Sequence, residues 1–103
     1  MRISHVDENW LKQEIRRILA KYLPENEYKI FFFGSRVKGD NFERSDIDLG
    51  ISGPGPLPAQ TKLDIEEDLE NLPILYPIDL VDFEKNASDT FKKHALKDVE
   101  YLN

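Results

Sequence analysis

The chain has no cysteine, which excludes disulfides and thiolate metal centres. No apolar run approaches the roughly 20 residues that a membrane-spanning helix requires. The first residues, Met1-Arg2-Ile3-Ser4-His5, lack the apolar segment of a secretion signal, so a cytoplasmic location is expected. Histidine is scarce, and surface or cap positions explain His5 and His94 better than metal ligation. Positive charge is in deficit: 14 Lys and Arg against 20 Asp and Glu give a net charge of -6. Such a balance repels a nucleic-acid backbone, so stable binding to DNA or RNA is not expected.

What is present suits one small globular domain over residues 1–103, with 40% hydrophobic residues to fill a single core. Ser4 or Asp7 can cap a first helix whose Trp10, Leu11, Ile15, Ile18, Leu19, Tyr22 and Leu23 form an apolar stripe ending at Pro24. Trp10 is assigned to the core on this spacing. Tyr28 to Phe33 is a short β-branched and aromatic run, read as a buried strand. A helical turn over Ser35 to Lys38 and a loop over Asp40 to Arg44 follow. Asp46 to Ser52 then alternates as a strand, with Ile47, Leu49 and Ile51 on one face and Asp46, Asp48 and Gly50 on the other.

Gly53-Pro54-Gly55-Pro56-Leu57-Pro58 is a loop within the domain. A helix from Ala59 to Leu72 is expected to turn Leu63, Leu69 and Leu72 inward and to leave Ile65 off that stripe. Its Glu66, Glu67, Asp68 and Glu70 form a solvated face. Tyr76 to Phe83 is a third strand, with Ile78, Leu80 and Asp82 on one side and Asp79, Val81 and Phe83 on the other. Pro77 belongs at its start or on a sheet edge, and Asp82 is expected to be exposed or to act as a cap. Ser88 opens a last helix that turns Phe91, Ala95, Val99 and Leu102 inward, with Lys92, Lys93 and Lys97 outside. The order is α-β-α-β-α-β-α. The fold class is α/β, a three-stranded mixed sheet packed against helices.

The chemistry concentrates between Phe31 and Ile51. A strand ends in Gly34-Ser35, ten residues intervene, and Asp46-Ile47-Asp48 follows. Gly34 and Gly39 have the gap of a Walker A loop, but Asp40-Asn41 stands where Lys-Ser/Thr is required. The dinucleotide pattern of glycines is absent, and Leu57 occupies the position of the closing glutamate of an EF-hand.

A strand-to-helix turn at Gly34-Ser35 nevertheless exposes backbone N–H groups suited to a phosphate, and the Ser35 hydroxyl can donate as well. Lys29, Arg36, Lys38 and Arg44 make this segment locally basic, which fits a small polyanion. Asp46 and Asp48, two apart on a strand, project from one face. Adjacent carboxylates repel, and a divalent cation relieves the repulsion; oxygen ligands select Mg2+ or Mn2+. Asp79, near the start of an otherwise apolar strand, is the candidate third ligand. For these acids to meet, the first two strands must be antiparallel and the second and third parallel, with the helix 59–72 as crossover.

The wording Phe-Gly-Ser-Arg-Val-Lys-Gly and Ser-Asp-Ile-Asp-Leu, with the later Asp79, resembles the DNA polymerase β-type nucleotidyltransferase superfamily and its minimal, MNT-type members. The resemblance covers most of the chain. It implies attack on the α-phosphate of a nucleoside triphosphate, ATP above all, with two divalent ions held by Asp46, Asp48 and Asp79. It further implies that Asp79 helps activate the attacking hydroxyl and that Gly34 and Ser35 hold the β- and γ-phosphates. Arg36 and Lys38 are candidate further phosphate contacts. Minimal members often partner a helical HEPN protein as antitoxin and toxin, adding AMP to a partner tyrosine. A small-molecule acceptor, or a module that neutralises its partner by binding alone, is the alternative. Self-association is left open.

Overall fold

The computed structural model describes residues 7–24, 26–33, 47–74, 76–85, 92, 93, 97 and 99–103. In chain order the elements are α1 (Glu8–Ala20), β1 (Lys29–Phe33), β2 (Ile47–Ser52), α2 (Ala59–Glu70), β3 (Ile78–Asp82) and β4 (Glu100–Tyr101). Asp7 caps α1, its Oδ1 accepting from the Trp10 backbone N–H at 3.1 Å. Such a cap is worth about 1 kcal/mol. The expected turn 35–38 and the start of the last helix at Ser88 lie outside the described residues.

The sheet order is β3-β2-β1-β4. β1 runs antiparallel to β2 and β2 parallel to β3, with α2 on the connection between the parallel pair. This is the pairing that convergence of the acids requires. Pro77 immediately precedes β3, an edge strand, where its missing N–H costs no ladder bond.

One face of the sheet carries the main core. Ile30, Phe32, Ile47, Leu49, Ile51 and Leu80 meet Leu11, Ile15, Ile18 and Leu19 of α1 and Ile65 and Leu69 of α2. The opposite face carries a smaller cluster of Phe31, Phe33 and Phe83, with Val81 and Val99 packed against it. The alternation along β2 thus separates a helix-covered face from the face of Asp48 and Gly50.

Four expectations are corrected. Among the described residues the sheet has four strands: Glu100–Tyr101 pairs antiparallel with β1, so Val99 and Leu102 flank a strand instead of continuing a helix. Leu102 is buried as expected, but it arrives there by pairing, its N–H donating to Ile30 O at 2.8 Å. Trp10 is 37% exposed, at the margin of the α1 stripe. On α2 the inward residues are Ile65 and Leu69, with Leu72 buried two residues past the helix end, while Leu63 is 59% exposed. Ile65 and Leu69 are spaced i, i+4, the helical repeat; Leu63 falls on the far side.

Asp82 is 1% exposed, against the first of its two expected roles, and fills the second as a cap, with Oδ2 accepting from Leu57 N–H at 2.7 Å and Oδ1 from Glu84 N–H at 3.0 Å in the turn after β3. It pins the loop entering α2 to the end of β3. Nor is Asp68 merely solvated: it accepts from Tyr22 Oη at 2.7 Å and Lys21 Nζ at 2.8 Å, joining α2 to the end of α1. The bond to Asp68, then loss of solvent, pushes the Tyr22 phenol up to about 12. Bonds from Lys21 and then Tyr22 hold Asp68 below the usual carboxylate range.

Candidate active site

Asp48 lies one residue inside the start of β2, and Asp79 one residue inside the start of β3. In the parallel register Asp48 stands directly opposite Asp79, as Ile47 does opposite Ile78. In the antiparallel register on its other side, Asp48 stands opposite Phe33, the last residue of β1. Three strands therefore bring Phe33, Asp48 and Asp79 into one row across the sheet. Residues opposite one another in register point to the same face, so both carboxylates project away from α1 and α2. Asp48 is half-buried and Asp79 is exposed.

Neighbouring strands are spaced about 4.8 Å apart, so two carboxylates in direct register repel unless a cation or proton stands between them. Their donor set is all carboxylate oxygen, which suits Mg2+ or Mn2+. On this geometry Asp48 and Asp79 fit a shared hard cation. They would supply two ligands: among the described residues no group of three or more His, Cys, Asp or Glu is placed to hold a metal. Asp46, the third acid of the sequence pattern, lies outside the described residues. So do Gly34, Ser35, Arg36 and Lys38. The structure does place Phe33, which precedes Gly34, in the carboxylate row, so the chain leaves β1 toward Gly34 at the level of the two acids.

The next row along the same face is Val81, Gly50, Phe31 and Tyr101. Behind the carboxylates sits the aromatic cluster: the Phe31 and Phe83 rings meet edge-on at 5.0 Å and those of Phe33 and Phe83 at 5.2 Å. This wall makes one side of the candidate site apolar. The sequence reading missed Gly50, although an isolated glycine within an alternating strand signals close approach by a neighbour. Asp82 takes no part in the row: it lies on the opposite face, at the far end of β3, with its oxygens turned to backbone donors.

Against known proteins, residues 13–102 match the family described as polymerase beta, nucleotidyltransferase. Over 75 residues the chain is 31% identical to a probable protein adenylyltransferase MntA of Haemophilus influenzae, a stretch that is 73% of this chain and 64% of that protein. The chain thus spans less than two thirds of the length of that relative. A solved toxin-antitoxin structure with AMP-PNP superposes with a TM-score of 0.72 at 23% identity, covering 89% of this chain and 72% of that one. A second structure, of a tri-AMPylated Shewanella oneidensis HEPN toxin in complex with an MNT antitoxin, matches with a TM-score of 0.66 at 21% identity, covering 92% and 71%. At those identities the structural likeness speaks for the fold. The family match takes in most of the chain, including Asp48, Asp79 and every strand, and by it the protein belongs to the polymerase beta nucleotidyltransferase family.

Proposed function

We propose that this domain transfers AMP from ATP to an acceptor hydroxyl, a tyrosine of a HEPN-type helical partner, and so acts as the antitoxin of a cytoplasmic pair. The observation that carries the reading is the register of Asp48 with Asp79 at the level where β1 ends. Family membership supports nucleotidyl transfer. The name of the Haemophilus influenzae relative supports a protein acceptor, and the AMP-PNP and tri-AMPylated structures support the nucleotide and the partner.

In this reading the acceptor oxygen bonds to the α-phosphorus of ATP, the bond from that phosphorus to the bridging oxygen breaks, and pyrophosphate leaves. Asp79, the more exposed acid, takes part in removing the hydroxyl proton. Asp46, Asp48 and Asp79 would hold two Mg2+ or Mn2+ ions, which supply charge neutralisation along an in-line displacement. Gly34 and Ser35 bind the β- and γ-phosphates, aided by Arg36 and Lys38. The chain's part is to place Asp48 and Asp79 near the starts of two neighbouring strands, so that their orientation is set before the reaction.

The test is incubation with α-labelled ATP, Mg2+ and the HEPN-type partner. Asp48→Asn and Asp79→Asn should each lower labelling by about 100-fold or more, since even an outer partner of a metal ligand can be worth that much. Their circular dichroism should match the parent. Full labelling by both variants would sink the proposed chemistry. Partner neutralisation that survives in variants unable to label would instead favour a module acting by binding alone.

A further inference from the structure

Gly50 lies two residues beyond Asp48 on β2 and faces the same side of the sheet. A Cβ added there would stand 2.6 Å from Phe31 Cζ and 2.8 Å from Phe83 Cε1. Non-bonded carbons settle at about 3.5–4.0 Å, so neither ring could keep its place. Both rings are fully buried, and both touch Phe33, at 6.2 Å from Phe31 and 5.2 Å from Phe83 between centroids. Phe33 stands opposite Asp48 in the carboxylate row. Room taken at Gly50 is therefore passed through two packed rings to the residue beside the half-buried acid.

We propose that Gly50 is a positioning residue for the Asp48–Asp79 pair: its missing side chain lets Phe31 and Phe83 close over β2 and hold Phe33, and with it the start of β2, in register with β3. The inference rests on the nucleotidyltransferase reading, because it takes the pair to be a cation site. Two like charges one strand spacing apart tend to separate. Convergence on a cation needs a backing that does not yield, and an interlocked ring cluster at interior packing density supplies one.

Gly53 provides a matched control. It lies just beyond the other end of β2, and a Cβ there would collide with the ring of Tyr28, standing 3.0 Å from its Cγ. Gly53→Ala thus adds the same methyl to the same strand region, crowding an aromatic ring, but away from the acids.

The experiment is Mn2+ titration of the intact protein without nucleotide, followed by the electron paramagnetic resonance of free Mn2+ at a temperature well below each variant's unfolding midpoint. Gly50→Ala should raise the Mn2+ dissociation constant by about tenfold or more, the range seen when support for a metal ligand is lost. Gly53→Ala should lower the thermal midpoint but leave Mn2+ affinity as in the parent. Gly50→Ala combined with Phe31→Leu, which returns the room, should regain affinity; this pair carries the test even if Gly50→Ala alone does not fold. Parental affinity in folded Gly50→Ala, or no recovery in the folded double variant, would overturn the proposal. Asp48→Asn separates the two levels: if it binds Mn2+ as the parent does, the cation site itself is wrong, and the role of Gly50 falls with it.

Discussion

Asp48 and Asp79 stand in direct register on neighbouring parallel strands, one residue inside the start of each. They are 31 positions apart in the chain, and α2 lies between them. The crossover serves two purposes: it buries Ile65 and Leu69 against the sheet, and it returns the chain to the same end, so that the second acid arrives beside the first.

Removing charge from Asp79 should leave the fold intact. The side chain is exposed at the start of an edge strand, so Asp79→Asn should unfold in urea at the parental midpoint. A marked fall would show that the carboxylate is a structural group and not one kept for chemistry.

Asp82 should behave in the opposite way. Asp82→Ala strands the Leu57 N–H in a buried position and frees Glu84 N–H, which should cost about 1–3 kcal/mol in urea unfolding. Mn2+ affinity should not change, because Asp82 lies on the other face from the acid pair. Lost Mn2+ binding with parental stability would reverse the assignments of Asp79 and Asp82.

The contact between Tyr22 and Asp68 predicts a pH dependence at both ends of the scale. The Tyr22 phenol is raised from 10.0 to about 12 in the folded state, so its contribution is complete below pH 10 and fades as pH climbs toward 12. Asp68 is lowered from 3.8, so its contribution is present above that value and is lost as pH falls further. The thermal midpoint of Tyr22→Phe should therefore lie below that of the parent at neutral pH and converge with it near pH 12. A difference that stays constant across that range would show that the bond to Asp68 does not form.

Asn103 extends the shortest strand with its side chain. The amide accepts from Ile30 N–H at 2.9 Å and donates to Tyr28 O at 2.8 Å, continuing the ladder that Leu102 makes with Ile30 O. Asn103→Ala should cost about 1 kcal/mol for each bond lost. Hydrogen exchange should quicken at the Ile30 amide and stay slow at Leu49 in the centre of the sheet. Unaltered protection at Ile30 would count against the side-chain ladder.

Much of this arrangement could be read from local pattern. Alternation over Ile47 to Ile51 places Asp48 on the face away from the core, and the demand that the acids meet implies both strand pairings. The errors share a cause: local pattern does not report what packs against a residue. Leu63 is an exception, because the i, i+4 spacing from Ile65 to Leu69 already singles out Ile65, and the packed sheet shows Ile65 and Leu69 buried together. Glu100–Tyr101 is two residues long, too short to leave a periodic signature, and becomes a strand through pairing with Phe31 and Phe32. Trp10 sits next to Leu11 at the rim of the stripe, where an aromatic ring counts as apolar in sequence yet stays 37% exposed. Asp82 reads from sequence as either an exposed acid or a cap, because nothing in its neighbours announces the Leu57 N–H, 25 positions away, that it accepts from.

The central claim is that the carboxylate row serves attack at the α-phosphate. The most direct measurement compares ATP labelled at the α-phosphate with ATP labelled at the γ-phosphate, in parallel incubations with Mg2+ and the HEPN-type partner. The α-label should become covalently attached to a partner tyrosine, with pyrophosphate released in equal amount, and the γ-label should be recovered only in pyrophosphate. Attachment of the γ-label to the partner, or release of inorganic phosphate without α-label transfer, would contradict the account.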